Sequence, residues 1–114
     1  MTKSILDNAK EHFKKQLDNE MQSFEVPEWN ATIYYRPVMT FREQSKILEL
    51  QNQGKTAEAL VETIIVKSFD KDGKKLFNNP DRITLMEEAD PNVVVKVAAQ
   101  LNGVNLSMEQ VEKN

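Results

Sequence analysis

Residues 24–37 read FEVPEWNATIYYRP, and this stretch decides the fold class. It is rich in β-branched and aromatic residues, which favour strands. Its second half alternates with a period of two: Ala31, Ile33 and Tyr35 against Thr32, Tyr34 and Arg36. A turn is expected around residues 27–30, and Pro37 should end the second strand because proline cannot donate to a ladder of hydrogen bonds. Since two strands alone are marginally stable, we expect a β-hairpin, within residues 22–38, that lies on helices or on another chain.

An amphipathic helix is predicted within residues 1–21. Apolar residues recur there at helical spacing, with lysines and acids on the other side: Ile5, Leu6, Ala9, Phe13 and Leu17. The single histidine, His12, lies at the edge of this apolar stripe, and we interpret it as a structural or surface residue. The stripe either packs on its own domain or docks a partner.

Two helices joined by a short link should follow the hairpin. Thr40 and Glu43 have the spacing of a capping box, so a helix begins at Phe41 and ends near Gln53, where the next residue is a glycine. Thr56 is expected to cap the second helix. The short link favours a helical hairpin.

Proline marks the start of two more helices. The runs 79–81, NPD, and 90–91, DP, each place a cap residue before a proline at the first helical position. The stretch 93–97, VVVKV, has strand propensity, but its cap, the alanines after it and the stop at Gly103 favour a helix. Residues 40–103 are therefore predicted to hold about four helices in a small bundle, and residues 104–114 a polar tail.

The run 68–77, SFDKDGKKLF, contains a D-x-D-G pattern that is typical of calcium loops. With Gly73 at the sixth position of such a loop, Ser68 and Asn79 occupy the first and twelfth positions, where a carboxylate and a bidentate glutamate are needed. Both anchors are missing. We expect a polar connection in which Asp70 or Asp72 accepts backbone hydrogen bonds and Gly73 has a positive φ.

Composition indicates one domain in a reducing compartment. The 114 residues are 39% hydrophobic and include no cysteine, enough to bury roughly two-thirds of the unfolded surface. No apolar run resembles a signal peptide or a membrane span, so a cytoplasmic location is expected. The formal charge is −3 and charges of both signs are interspersed, so neither nucleic acid nor membrane is an expected partner.

The sequence predicts no catalytic centre. It lacks the metalloprotease, P-loop and dinucleotide-binding motifs, and its one histidine has no nucleophile motif beside it. Glu87 and Glu88 are adjacent, so on a helix they point apart. We expect a protein that is not an enzyme and that needs no cofactor or metal.

The order of these features resembles that of the tail assembly chaperones of long-tailed, siphovirus-like phages and prophages. The similar parts are an amphipathic helix, VPEWNATIYYRPV, TFREQSKI, DKDGKKLF, NNPDRITLMEEAD and a final VAAQLNGVNLSMEQVEKN. The resemblance spans nearly the whole chain, and the order of the motifs is more specific than any one of them. It implies an α+β, mainly α-helical fold in which the D-x-D-G turn is a structural corner, with Leu76 and Phe77 packing inward.

The resemblance also implies a function. Such proteins bind the tape measure protein, keep it soluble in the host cytoplasm, help to recruit tail tube subunits, and are absent from the mature virion. Some are also made as a longer product by ribosomal frameshifting, in which case this chain is the shorter form.

Exposed apolar surface is the physical requirement for such a role. The hypothesis is that two sets of residues supply it for the client or for self-association. They are Ile5, Leu6, Phe13 and Leu17 on the first helix, and Trp29, Tyr34 and Tyr35 on the hairpin. The aromatics are alternatively half-buried strand residues. Rival functions are a tail completion or head-tail connector subunit, and an interaction module unrelated to phages.

Overall fold

The computed structural model describes residues 4–36 and 38–103. The elements, in chain order, are α1 (Ile5–Leu17), β1 (Gln22–Val26), β2 (Ala31–Tyr35), α2 (Phe41–Asn52), α3 (Thr56–Lys67), α4 (Asp81–Glu87) and α5 (Pro91–Leu101). The predicted fold class is confirmed: a helix, a two-stranded antiparallel hairpin and four further helices. The predicted polar tail lies outside the described residues. None of the helices formed by the described residues is long and apolar enough to cross a bilayer.

Local capping explains where most helices begin. The Oγ1 of Thr40 accepts a hydrogen bond from the Glu43 amide at 3.1 Å, and a Glu43 carboxylate oxygen accepts one from the Thr40 amide at 3.0 Å. This is the predicted capping box of α2. At the start of α5, a carboxylate oxygen of Asp90 accepts a hydrogen bond from the Asn92 amide at 2.9 Å.

Two predicted helix starts were wrong by one residue. Thr56 is the first residue of α3 and not its cap, which is Lys55, without a side-chain capping bond. Pro80 is the cap of α4 and not its first residue, so the helix begins at Asp81. There the Asp81 carboxylate accepts a hydrogen bond from the Asn78 amide at 2.7 Å, which fixes the entry to the helix from within its own first turn.

The hairpin has the predicted turn and ends its second strand at Tyr35, while Pro37 lies outside the described residues. Phe24 pairs with Ile33 in an antiparallel register. A short 3₁₀ turn, Pro27–Trp29, joins the strands, and Asn30 takes a left-handed conformation with φ of 50°. Asparagine tolerates this region better than most residues. The turn therefore leads directly back into β2.

Helix α3 is the centre of the helical bundle, because α2, α4 and α5 all pack against it. Its Val61, Ile64 and Ile65 are at most 3% exposed. They join Ile33 of β2 and Leu101 of α5 in one apolar cluster. The hairpin and the helices thus share a single core.

The D-x-D-G loop is the polar corner that the sequence predicts. One carboxylate oxygen of Asp70 accepts hydrogen bonds from the amides of Asp72 and Lys74, both at 2.9 Å, and Gly73 has a φ of 85°. The half-buried Phe77 packs on the core as expected, whereas Leu76 remains 37% exposed. The corner therefore uses one of its two apolar residues as an anchor.

Candidate functional site

The apolar stripe of α1 remains largely uncovered. No residue of α1 is buried. Ile5 is 88% exposed and Leu6 is 68% exposed, while Leu17 is 38% exposed and Phe13 is partly covered. Ser4 caps this helix by accepting a hydrogen bond from the Asp7 amide at 3.1 Å, which stabilises its first turn locally. The N-terminal half of the stripe is thus uncovered, and the docking of a partner on it stays a prediction.

The hairpin aromatics lie closer to the core than the α1 residues do. The ring of Trp29 packs edge-on against Phe77, with centroids 6.3 Å apart. Tyr34 is half-buried. Tyr35 is only 8% exposed; its hydroxyl donates to Gln22 Oε1 at 3.0 Å. A role for these three in partner binding stays a prediction, and Tyr35 offers the least surface for it.

A second apolar surface lies between α3, α4 and α5. It is a groove of about 120 Å³ lined by Ala57, Leu60, Val61, Leu85, Met86, Ala89, Pro91, Val94 and Val95. Met86 and Val95 are 40% and 46% exposed. The groove is formed by other elements than α1, so the molecule presents two separate apolar surfaces.

A polar cleft lies where the C-terminal half of α1 approaches the bundle. Its volume is about 350 Å³, and its lining combines Lys67 with Phe13, Gln16, Val38, Met39, Gln44 and Asn102. Lys67, the last residue of α3, is 5% exposed, and burial lowers its pKa. Within the described ranges, no carboxylate pairs with its ammonium and no acceptor hydrogen-bonds to it.

A buried carboxylate, by contrast, is fully paired. Glu62 of α3 is 5% exposed. It forms an ion pair with Arg82 of α4 and a second one with Lys46 of α2, whose Nζ lies 3.4 Å from Glu62 Oε1. The two cations come from the two helices that flank α3 on this side. Glu62 therefore ties three helices together.

Sequence reasoning missed both buried charges. The signal for Lys67 was available, because it continues the stripe that Leu60 and Ile64 form on α3. Glu62 lies on the other side of the helix, where only the tertiary packing of α2 and α4 reveals that it is covered. Neither residue belongs to a recognisable motif.

The described part of the chain contains no group of three or more acidic, histidine or cysteine side chains that could hold a metal ion.

No protein-family profile matches the sequence, and no curated protein matches it. Among solved structures, the tail assembly chaperone of bacteriophage HK97 is similar, with a TM-score of 0.59 over 86% of this chain and 97% of that one. The fold resembles that of a phage tail assembly chaperone. The sequences are 16% identical, so the likeness concerns the fold, and it agrees with the resemblance found in the order of the sequence motifs.

Proposed function

We propose that this protein is a tail assembly chaperone of a long-tailed phage or prophage, and that it holds the tape measure protein soluble in the host cytoplasm while the tail assembles. The observation that carries the proposal is the exposed N-terminal half of the α1 stripe, on a fold similar to that of the HK97 chaperone. A helix with an uncovered apolar face suits a long helical client, because the two can bury their apolar stripes against each other.

The energy available on α1 is sufficient for a weak contact that is repeated. Fully burying a leucine or isoleucine side chain contributes about 1.5–3 kcal/mol, and Ile5 and Leu6 are mostly exposed. Part of this gain is lost to the ordering of both partners. Each copy would therefore bind weakly, and many copies along one client would bind it firmly.

We further propose that the groove between α3, α4 and α5 receives the tail tube subunit. A protein that bridges a client and a tube subunit needs two surfaces that can be occupied together. The groove meets this need because its residues, Met86 and Val95 among them, lie on other elements than the α1 stripe. Trp29 and Tyr34 remain candidates for secondary contacts, since each keeps part of its surface exposed.

The test is co-expression of this chain with the tape measure protein encoded nearby, followed by size-exclusion chromatography with light scattering. The expected result is a soluble complex with several copies of this protein per client. Leu6→Lys should return most of the client to the insoluble fraction without changing the fold, because leucine and lysine have similar helix propensities. Asn8→Lys, on the opposite face of α1, is the matched control and should keep the client soluble.

The second surface is tested by adding purified tail tube subunit to the soluble complex obtained from the same co-expression. Met86→Lys should abolish capture of the tube subunit and leave the client soluble, while Thr84→Lys, an exposed position on the same helix, should affect neither. If Leu6→Lys leaves the client soluble, the proposed role of α1 is wrong. Finding the protein in purified virions would instead favour the tail completion or connector alternative.

A further inference from the structure

The Lys67 residue is 5% exposed, and no carboxylate among the described residues pairs with its ammonium. A buried ammonium is stabilised by a carboxylate or by several hydrogen-bond acceptors, and without them it lowers stability. The C-terminal end of α3 offers only the partial negative charge of its helix dipole. Burial accordingly lowers the pKa of Lys67.

The surroundings of Lys67 are rich in donors. Three side-chain amides, those of Gln16, Gln44 and Asn102, line the same cleft, and no described acidic residue does. Amide NH₂ groups can donate to the oxygens of an anion that the ammonium attracts. The cleft therefore has the composition of an anion site that lacks its anion.

Two buried donors without partners lie outside the lining of the cleft. The hydroxyl of Ser68, next to Lys67, is fully buried and has no hydrogen-bond partner, and the same holds for the Nε of Arg36. The Tyr34 amide donates to the Phe69 carbonyl at 2.9 Å, and the Tyr34 carbonyl accepts a hydrogen bond from the Phe69 amide at 2.8 Å. Arg36 lies two residues after Tyr34 in the chain, and Lys67 lies two residues before Phe69. Both atoms are buried and neither residue lines the cleft, so among the described residues the donors of the site are those of Lys67 and the three amides.

We propose that this cleft binds the carboxylate of an aspartate or glutamate side chain that a protein partner inserts between α1 and the bundle. The partner's being a protein rests on the proposed function, whereas the affinity for a carboxylate rests on the cleft alone. Phe13, Val38 and Met39 form the apolar part of the lining, which suits an acidic residue flanked by aliphatic ones. Because Phe13 belongs to the α1 stripe, an acidic side chain at this position would fix the register of a client helix along α1.

The experiment is a titration of ¹⁵N-labelled protein with the capped peptide acetyl-Ala-Leu-Glu-Leu-Ala-amide, in which the NMR chemical shifts of the backbone amides are measured. The signals of Gln16, Gln44, Lys67 and Asn102 should move together and saturate. The same peptide with glutamine in place of glutamate should bind at least about tenfold more weakly, the size expected when a charge-assisted hydrogen bond is lost. This comparison uses the unaltered protein, so it does not depend on any variant folding.

Variants assign the effect to Lys67. Lys67→Met keeps most of the aliphatic stem and should abolish binding of the glutamate peptide, whereas Lys67→Arg keeps the charge and should retain it. Lys71→Gln removes a positive charge at an exposed site and is the matched control, with binding unchanged.

Three results would overturn the proposal. The first is equal binding of the glutamate and glutamine peptides, and the second is unchanged binding of the glutamate peptide by Lys67→Met. The third is that inorganic phosphate moves the same signals at an equal or lower concentration than the glutamate peptide, because this would indicate a general anion site. Co-solubilisation of the client does not enter this titration. A protein that solubilises the client but ignores the glutamate peptide refutes the cleft and leaves the proposed function standing.

Discussion

The ion pair between Glu62 and Arg82 allows a stringent test of what holds α4 to α3. The side chain of Glu62 is 6% exposed and that of Arg82 is 31% exposed. Removing one partner of a buried pair costs about 3–5 kcal/mol, because the other charge is left buried. In Arg82→Met, Lys46 still lies 3.4 Å from the carboxylate, so the lower end of this range, about 3 kcal/mol, is expected.

The complementary variant should be milder. In Glu62→Met no carboxylate remains to be stranded, and Arg82 and the half-exposed Lys46 turn to water, so the loss should be about 1 kcal/mol. The double variant should resemble Glu62→Met, so its loss falls about 3 kcal/mol short of the sum of the two single losses, and this shortfall is the coupling energy. Urea unfolding of the four proteins at neutral pH measures this cycle.

The control cycle uses Glu28 and Lys96, an exposed pair whose atoms lie 3.6 Å apart. Its coupling energy should stay below about 1 kcal/mol. The reasoning is refuted if the losses at Glu62 and Arg82 simply add, or if the exposed pair couples as strongly as the buried one.

Other predictions concern single side chains. Lys67→Met should be more stable than the unaltered protein at neutral pH. The pKa of Lys67 in the folded protein lies below the ordinary 10.5, so the unfolded chain binds more protons between the two values and the unaltered protein gains stability as pH rises through this range. The stability difference between Lys67→Met and the unaltered protein should therefore narrow as pH rises toward 10.5. Parallel shifts of the two urea midpoints with pH would contradict this. Tyr35→Phe should lose about 1 kcal/mol with the bond to Gln22, measured by urea unfolding, and no loss would mean that water replaces it. Thr40→Ala should also cost about 1 kcal/mol by removing half of the capping box, and an unchanged midpoint would show that the cap is dispensable.

The sequence was sufficient for features with local causes. The capping box at Thr40, the proline start of α5 and the turn before Asn30 each depend on residues close in the chain, so their patterns predicted the elements correctly. The structure also confirms the helix predicted for the VVVKV run, where cap and stop signals outweigh strand propensity. The two misplaced starts, at Thr56 and Pro80, concern single residues at helix ends, where local patterns are least decisive.

Features with distant causes could not be predicted in this way. The burial of Glu62 depends on where α2 and α4 pack. The exposure of Ile5 and Leu6 arises because no element within residues 4–36 and 38–103 covers the N-terminal half of α1. An amphipathic stripe has the same pattern whether its partner is its own core or another protein. The cleft at Lys67 assembles residues from four parts of the chain, which no spacing rule relates.

The lack of any core contact for Ile5 and Leu6 has a consequence for how binding is tuned. A helix of 13 residues whose N-terminal half is exposed lies near the length at which helix and coil are similarly populated in water. The free energy of binding then includes the helix-coil equilibrium of α1, so a residue that never touches the partner can alter affinity. Asn8→Ala, on the polar face, would strengthen binding by raising the helical fraction. Affinity in this protein would thus be adjustable by evolution without redesign of the contact surface.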